Sequence, residues 1–120
     1  MLDIGAGTGL LSLMYAQQNA NALIDAVEID ERASKQAKEN FEVSPWKERL
    51  RIHNCSIQSF IAGNKYDLIV SNPPFFENDL KSADDKRNLA LHSSALSLEE
   101  LAGIASALVD DNGMFAVLLP

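Results

Sequence analysis

The sequence predicts an α/β fold: a doubly wound, mostly parallel sheet with helices on both faces. Three observations lead there. Apolar runs of strand length recur near residues 2–4, 22–29, 50–54, 66–71 and 114–119. Helical patterns lie between these runs, and alternating strand and helix is the order that builds a parallel sheet through right-handed crossovers. A glycine-rich turn follows the first run directly, at Gly5, Gly7 and Gly9. Sheets of this kind bind ligands outside the carboxyl ends of their strands.

The elements follow in order. Met1 to Ile4 reads as a short strand already under way at the first residue. Thr8-Gly9 leads into Leu10, Leu11, Leu13, Met14 and Ala16, an apolar helix face running to about residue 18. Glu31 to Phe41 carries Ala33, Ala37 and Phe41 on one stripe, with Lys35, Lys38 and Glu39 outside it and Asp30 placed to cap its start. A shorter turn covers Ile57 to Ile61. Leu98 to Val109 spaces Leu98, Leu101, Ile104, Ala105 and Leu108 as a helix, and Ser97 with Glu100 resembles a capping box. Asp111-Asn112-Gly113 then reads as a turn into the last strand. Glu77 to Ser97 is polar and charged, the pattern of a long surface loop.

The 120 residues suit one domain, and 47% hydrophobic with 22% charged residues is a globular balance rather than a disordered one. A single cysteine, Cys55, cannot pair internally and fits a reducing, cytoplasmic setting. The net charge of −7 argues against a general nucleic-acid binder, though not against a local basic site. No apolar run reaches the roughly 20 residues of a membrane span, and no His/Cys spacing points to a metal. Both ends fall beside strand patterns, so the expectation is a partial domain over residues 1–120.

Three strand ends carry candidate chemistry. Gly5, Gly7 and Gly9 let the backbone turn tightly and approach a ligand, but Leu10 stands where the dinucleotide fingerprint needs a third-spaced glycine. The turn alone reads equally as a plain strand-to-helix connection. Asp3 before it suits a cationic ligand better than a pyrophosphate. Glu28 ends the second strand, where a carboxylate can accept both hydroxyls of a ribose, and Ile29 can lie flat against a purine. The fourth strand runs into Asn72-Pro73-Pro74-Phe75-Phe76. Two prolines there fix the backbone and remove amide donors. The Asn72 side chain and Pro73 carbonyl can then grip a planar amine, with Phe75 stacked on it.

Together, Asp3-x-Gly5-x-Gly7-x-Gly9, Glu28 and Asn72-Pro73-Pro74-Phe75 resemble class I S-adenosylmethionine-dependent methyltransferases that act on amino groups. More narrowly, residues 2–13, 25–30, 44–49 and 71–76 resemble the bacterial tRNA1(Val) adenine methyltransferase family, down to Ser44-Pro45-Trp46. The resemblance implies a Rossmann-like fold that closes with an antiparallel hairpin missing from these 120 residues. It implies S-adenosyl-L-methionine as cofactor and a valine tRNA as substrate, methylated on the 6-amino group of the adenosine 3′ of the anticodon. It implies Asp3, Gly5, Gly7, Gly9, Glu28, Ile29, Ser56 and Ile57 as cofactor-binding residues, and Asn72, Pro73, Pro74 and Phe75 as catalytic ones.

This chain departs from the family in two places. Ser56 stands where an acidic residue usually accepts the adenine amine, and Ala90-Leu91-His92 stands where relatives tend to carry an arginine. Two other readings stay open: methylation of a glutamine side-chain amide in release factors, and a cofactor-binding module without activity. His53, within a strand, and the basic residues Lys35, Lys38, Lys47, Arg49 and Arg51 read as structural or solvated. The oligomeric state is open.

Overall fold

The structure, a computed structural model, describes residues 1–72 and 96–118. Within them β1 (Leu2–Ile4) leads to α1 (Leu10–Gln18), then β2 (Ile24–Val27) and α2 (Glu31–Glu42). A 3-10 turn at Lys47–Arg49 feeds β3 (Leu50–His53), and a second at Ile57–Ser59 precedes β4 (Tyr66–Ser71). α3 (Leu98–Leu108) and β5 (Val109–Val117) follow. The five strands are parallel, in the order β3-β2-β1-β4-β5. The chain builds outward from β1 to β3, then restarts on the other side with β4. The crevice between β1 and β4 is therefore the topological switch point, where such sheets bind ligands.

Alternation along the strands sorts two cores. Ala16 of α1 and Ala37 and Phe41 of α2 pack with Met1, Ile24, Ala26 and Leu50 on one face. Leu101 and Ala105 of α3 pack with Leu2, Ile4, Val27, Ile57 and Ile69 on the other. Leu2, Ile69 and Leu101 lose all solvent contact, each worth about 1.5–3 kcal/mol of apolar burial.

The expected order of elements holds, with informative differences. α1 buries Ser12 and Ala16, while Leu10 and Met14 are exposed. Apolar residues surround much of this helix, so pattern alone leaves its rotation open. The small side chains let it approach the sheet, and a hydrogen bond from Ser12 to Asp3 sets its phase. α2 keeps Ala37 and Phe41 inside, with Ser34 in place of Ala33 as its third buried residue.

Asp30 caps α2 by accepting the Ala33 amide at 2.8 Å. Ser97 caps α3 by accepting from the Glu100 amide, but its hydroxyl also turns to the Glu100 carboxylate, so the box is not reciprocal. The expected turn at Asp111-Asn112-Gly113 is absorbed into β5. Between the Tyr66–Val109 and Leu68–Met114 pairs, β4 advances two residues while β5 advances five. Gly113 makes the irregularity possible, because a Cβ there would lie 2.6 Å from Val109 Cγ2 and 3.0 Å from the Asp67 carbonyl.

Candidate active site

The loop after β1 is built on left-handed glycines: φ is +73° at Gly5, +59° at Gly7 and +91° at Gly9. An L side chain rarely adopts such values. The loop's amides turn inward. Gly5 and Ala6 both donate to the Val27 carbonyl, Gly9 donates to the Ala6 carbonyl, and Gly7 donates to Glu28 Oε1 at 2.7 Å. A pyrophosphate loop works by pointing free N–H groups at its ligand, and those four amides here already have protein acceptors. The space above Gly5 and Gly7 is open: a Cβ added at either meets no protein atom within 4 Å.

Asp3 lies beneath this loop and is 1% exposed. Oδ2 accepts the Ser12 hydroxyl at 2.8 Å, and Oδ1 is buried with no hydrogen-bond partner among the described residues. Burial pushes its carboxyl up to about 6; the Ser12 hydroxyl opposes the rise and the Glu28 carboxylate adds to it. An orphaned carboxylate oxygen of this kind needs a reason.

Glu28 sits just past β2 and does more than its sequence position implies. Oε1 holds the Gly7 amide and Oε2 holds the Asp30 amide at 2.9 Å, so one carboxylate bridges the loops after β1 and β2. Each oxygen keeps a second lone pair for a hydroxyl. Asn54, after β3, donates to the carbonyls of Glu28 and Ile29 at 2.9 and 3.2 Å and joins the third loop to the second. Ile29 is exposed beside them.

Asn72 follows β4 directly and is exposed. The registers pair Asp3 with Val70 and Ile4 with Ser71, and the Ser71 hydroxyl donates to the Ile4 carbonyl at 2.9 Å. Asn72 thus emerges at the switch-point crevice beside the glycine loop. Pro73, Pro74, Phe75, Phe76, His92 and the Ala90-Leu91-His92 segment lie outside the described residues.

Two expected cofactor contacts also have structural roles. Ser56 caps the second 3-10 turn, accepting from the Ser59 amide and donating to the Ser59 hydroxyl at 2.9 Å. Ile57 is 7% exposed and packs in the second core. A serine suits this cap because its oxygen reaches the amide three residues on.

Several residues read as structural or neutral have defined partners. Arg49 donates to the carbonyls of Ala16, Asn19 and Ala22 at 2.9–3.0 Å and closes the end of α1. Ser44 and Trp46 also serve the fold. The Ser44 hydroxyl donates to the Phe41 carbonyl, and the indole packs against the first core. His53 Nε2 lies 3.2 Å from Asp25 Oδ1, the Tyr66 hydroxyl donates to Asp25 Oδ2 at 2.7 Å, and the His53 ring tilts against Phe60. Burial, with the bond to Asp25, holds the Tyr66 phenol well above its ordinary value. Cys55 is half-buried.

A cavity of about 600 Å³ opens at the opposite, amino edge of the sheet, between Met1, Arg51 and Tyr66, away from these loops. Among the described residues no group of three or more His, Cys, Asp or Glu side chains gathers to hold a metal, and no helix is long and apolar enough to cross a membrane.

The parallel sheet thus presents a glycine loop, a carboxylate after β2 and an asparagine after β4 at one switch point. Residues 1–101 match the family described as methyltransferase small domain, and the chain belongs to that family. It is 50% identical over its whole length to a tRNA1(Val) (adenine(37)-N6)-methyltransferase of Dyadobacter fermentans, covering 50% of that protein. It is 48% identical to the protein of the same name from Flavobacterium johnsoniae, again over its whole length and covering 52% of that protein. The chain thus spans about half the length of these relatives.

Among solved structures it resembles an S-adenosylmethionine-dependent methyltransferase from Thiobacillus denitrificans in complex with S-adenosyl-L-homocysteine. The TM-score is 0.69 at 13% identity, over 95% of this chain and 39% of that one. At that identity the likeness concerns the fold.

Proposed function

We propose that this chain is the cofactor-binding and catalytic part of an S-adenosyl-L-methionine-dependent tRNA methyltransferase, acting on the 6-amino group of the adenosine 3′ of the anticodon in a valine tRNA. The observation that carries the reading is the full-length similarity, at about half identity, to relatives that bear this one name. A tRNA-modifying role places the protein in the cytoplasm.

The residues present fit the cofactor. Open space over Gly5 and Gly7, inward-turned amides and the orphaned Asp3 oxygen favour a ligand that is cationic and rich in hydroxyls. Glu28 would accept the ribose hydroxyls and Ile29 would face the adenine. Asp3 would lie toward the cationic methionine end, and Gly5, Gly7 and Gly9 would line the cradle. Ser56, which also caps the turn after β3, and Ile57, which also packs in the core, would complete the adenine side of the site. When bound, S-adenosyl-L-methionine supplies a methyl group on a sulfonium, an electrophile.

The chain's own task is to prepare the nucleophile. The exocyclic amine of adenine is weak because its lone pair is delocalised into the ring. Hydrogen bonds from its two N–H groups to Asn72 Oδ1 and the Pro73 carbonyl draw it toward a tetrahedral form with a localised lone pair. By the family resemblance, Phe75 would stack on the base, splayed from a single-stranded loop at small cost, and the proline ring of Pro74 would restrict the backbone before it. No strong base is required if the proton leaves after methyl transfer, and alignment supplies much of the acceleration.

The test is incubation of the chain with methyl-labelled cofactor and either unmodified valine tRNA or a peptide release factor. Label at N6 of the anticodon-loop adenosine is expected. Label in protein alone would move the assignment to glutamine amide methylation. Asn72→Ala should cut turnover about a hundredfold or more and leave S-adenosylhomocysteine affinity within roughly twofold, since the residue is given no cofactor contact. Equal losses in both would remove it from the catalytic role.

A further inference from the structure

The glycine loop is held from behind by α2, and we infer that Asn40, oriented by Gln36, is a positioning residue for the cofactor loop. The inference rests on the cofactor reading given above. Asn40 Nδ2 donates to the Thr8 carbonyl at 2.9 Å, across 32 residues of chain. Gln36 Nε2 donates to Asn40 Oδ1 at 3.0 Å. Because that oxygen accepts from Gln36, the amide is turned with its nitrogen toward Thr8.

The consequence runs through one peptide plane. The Thr8 carbonyl and the Gly9 N–H belong to the same rigid unit. Asn40 holds the first, and the Ala6 carbonyl holds the second at 2.9 Å. The unit is therefore pinned at both ends, immediately before the Gly9 carbonyl accepts the Leu13 amide and starts α1. Phe41, the next residue of α2, lies directly under Gly9: a Cβ there would sit 2.5 Å from the ring. One helix end thus supplies a floor and a latch for the loop, while Glu28 holds it in front through Gly7.

Nothing in helix formation calls for asparagine here. It is a poorer helix former than alanine by roughly half a kcal/mol, and its side chain leaves its own helix for the loop. Replacing it with alanine should preserve α2 and release the loop, which separates positioning from simple support of the fold.

The experiment compares the unaltered chain with Asn40→Ala and Gln36→Ala by two readouts: amide hydrogen exchange without ligand, and calorimetric binding of S-adenosylhomocysteine. In Asn40→Ala, exchange at Gly7 and Gly9 should rise about tenfold, with Leu2–Ile4 and Ile24–Val27 unchanged. Affinity should fall about tenfold, the effect of losing one hydrogen bond of about 1.4 kcal/mol. Gln36→Ala should move both readouts the same way by a smaller factor. Unchanged exchange at Gly7 and Gly9, uniform acceleration across the sheet, or a freed loop with undiminished affinity would each overturn the inference. If the unaltered chain fails to bind S-adenosylhomocysteine, the cofactor reading falls, and loop exchange still decides whether Asn40 holds the loop.

Discussion

The carboxylate of Glu28 accepts the Gly7 amide at 2.7 Å, so the residue proposed to bind the ribose also holds the glycine loop in place. The two tasks share one group. Glu28→Gln should therefore weaken S-adenosylhomocysteine binding more than the loss of one ligand contact. A side-chain NH₂ would face an amide donor at Gly7 or Asp30. Charge-assisted bonds of about 1.5–3 kcal/mol convert to a loss of roughly ten- to more than a hundredfold in affinity, to be measured by calorimetry.

Gly9 and Phe41 are coupled by space. Gly9→Ala forces a side chain into φ +91° and onto the buried Phe41 ring. The left-handed backbone costs about 1–2 kcal/mol, and overpacking adds about 1–3 kcal/mol. Thermal melting should fall clearly. Adding Phe41→Leu should recover only the packing share, because the backbone strain remains.

The buried carboxyl of Asp3 makes stability depend on pH. Its ordinary value of 3.8 is raised to about 6 in the fold, so between those values the folded chain binds more protons than the unfolded one. Stability contributed by this group is greatest below about 4 and is lost as pH rises to about 6. The change is on the order of 3 kcal/mol. Urea unfolding from pH 4 to 7.5 should show the free energy of Asp3→Asn gaining on that of the unaltered chain through this window. Parallel curves would show that Asp3 does not titrate there.

Arg49 binds three carbonyls at the end of α1 and the approach to β2. Arg49→Ala should cost about 2–3 kcal/mol, visible as a lower urea midpoint. Arg49→Lys should restore only part of it, since an ammonium lacks the planar fork that reaches several acceptors. Affinity for S-adenosylhomocysteine should be little changed, because the contact lies at the far end of α1 from the glycine loop.

Local chemistry made the loops of the candidate site legible. Glycines spaced two apart after a strand, a carboxylate at the end of the next and Asn72 at the end of β4 are signals carried by residue type and spacing. Parallel topology then brings those strand ends to one edge. What resisted reading were contacts between distant residues. Ser12 answers Asp3 across a turn, Asn40 answers Thr8 from another helix, and Arg49 answers carbonyls about thirty residues earlier. Nothing in the pattern around Asn40 or Arg49 distinguishes them from solvated polar residues.

By itself, then, the sequence determined the alternation of strand and helix, the loops that bear chemistry and the family resemblance, because each depends on neighbours in the chain. Tertiary structure decided the rotation of α1, the cap at Ser56, the burial of Ile57 and the double duty of Glu28. Those depend on which surface packs against which. A helix with apolar residues nearly all round has no preferred phase until a sheet lies under it, and a hydroxyl or amide has no defined role until a partner comes within about 3 Å.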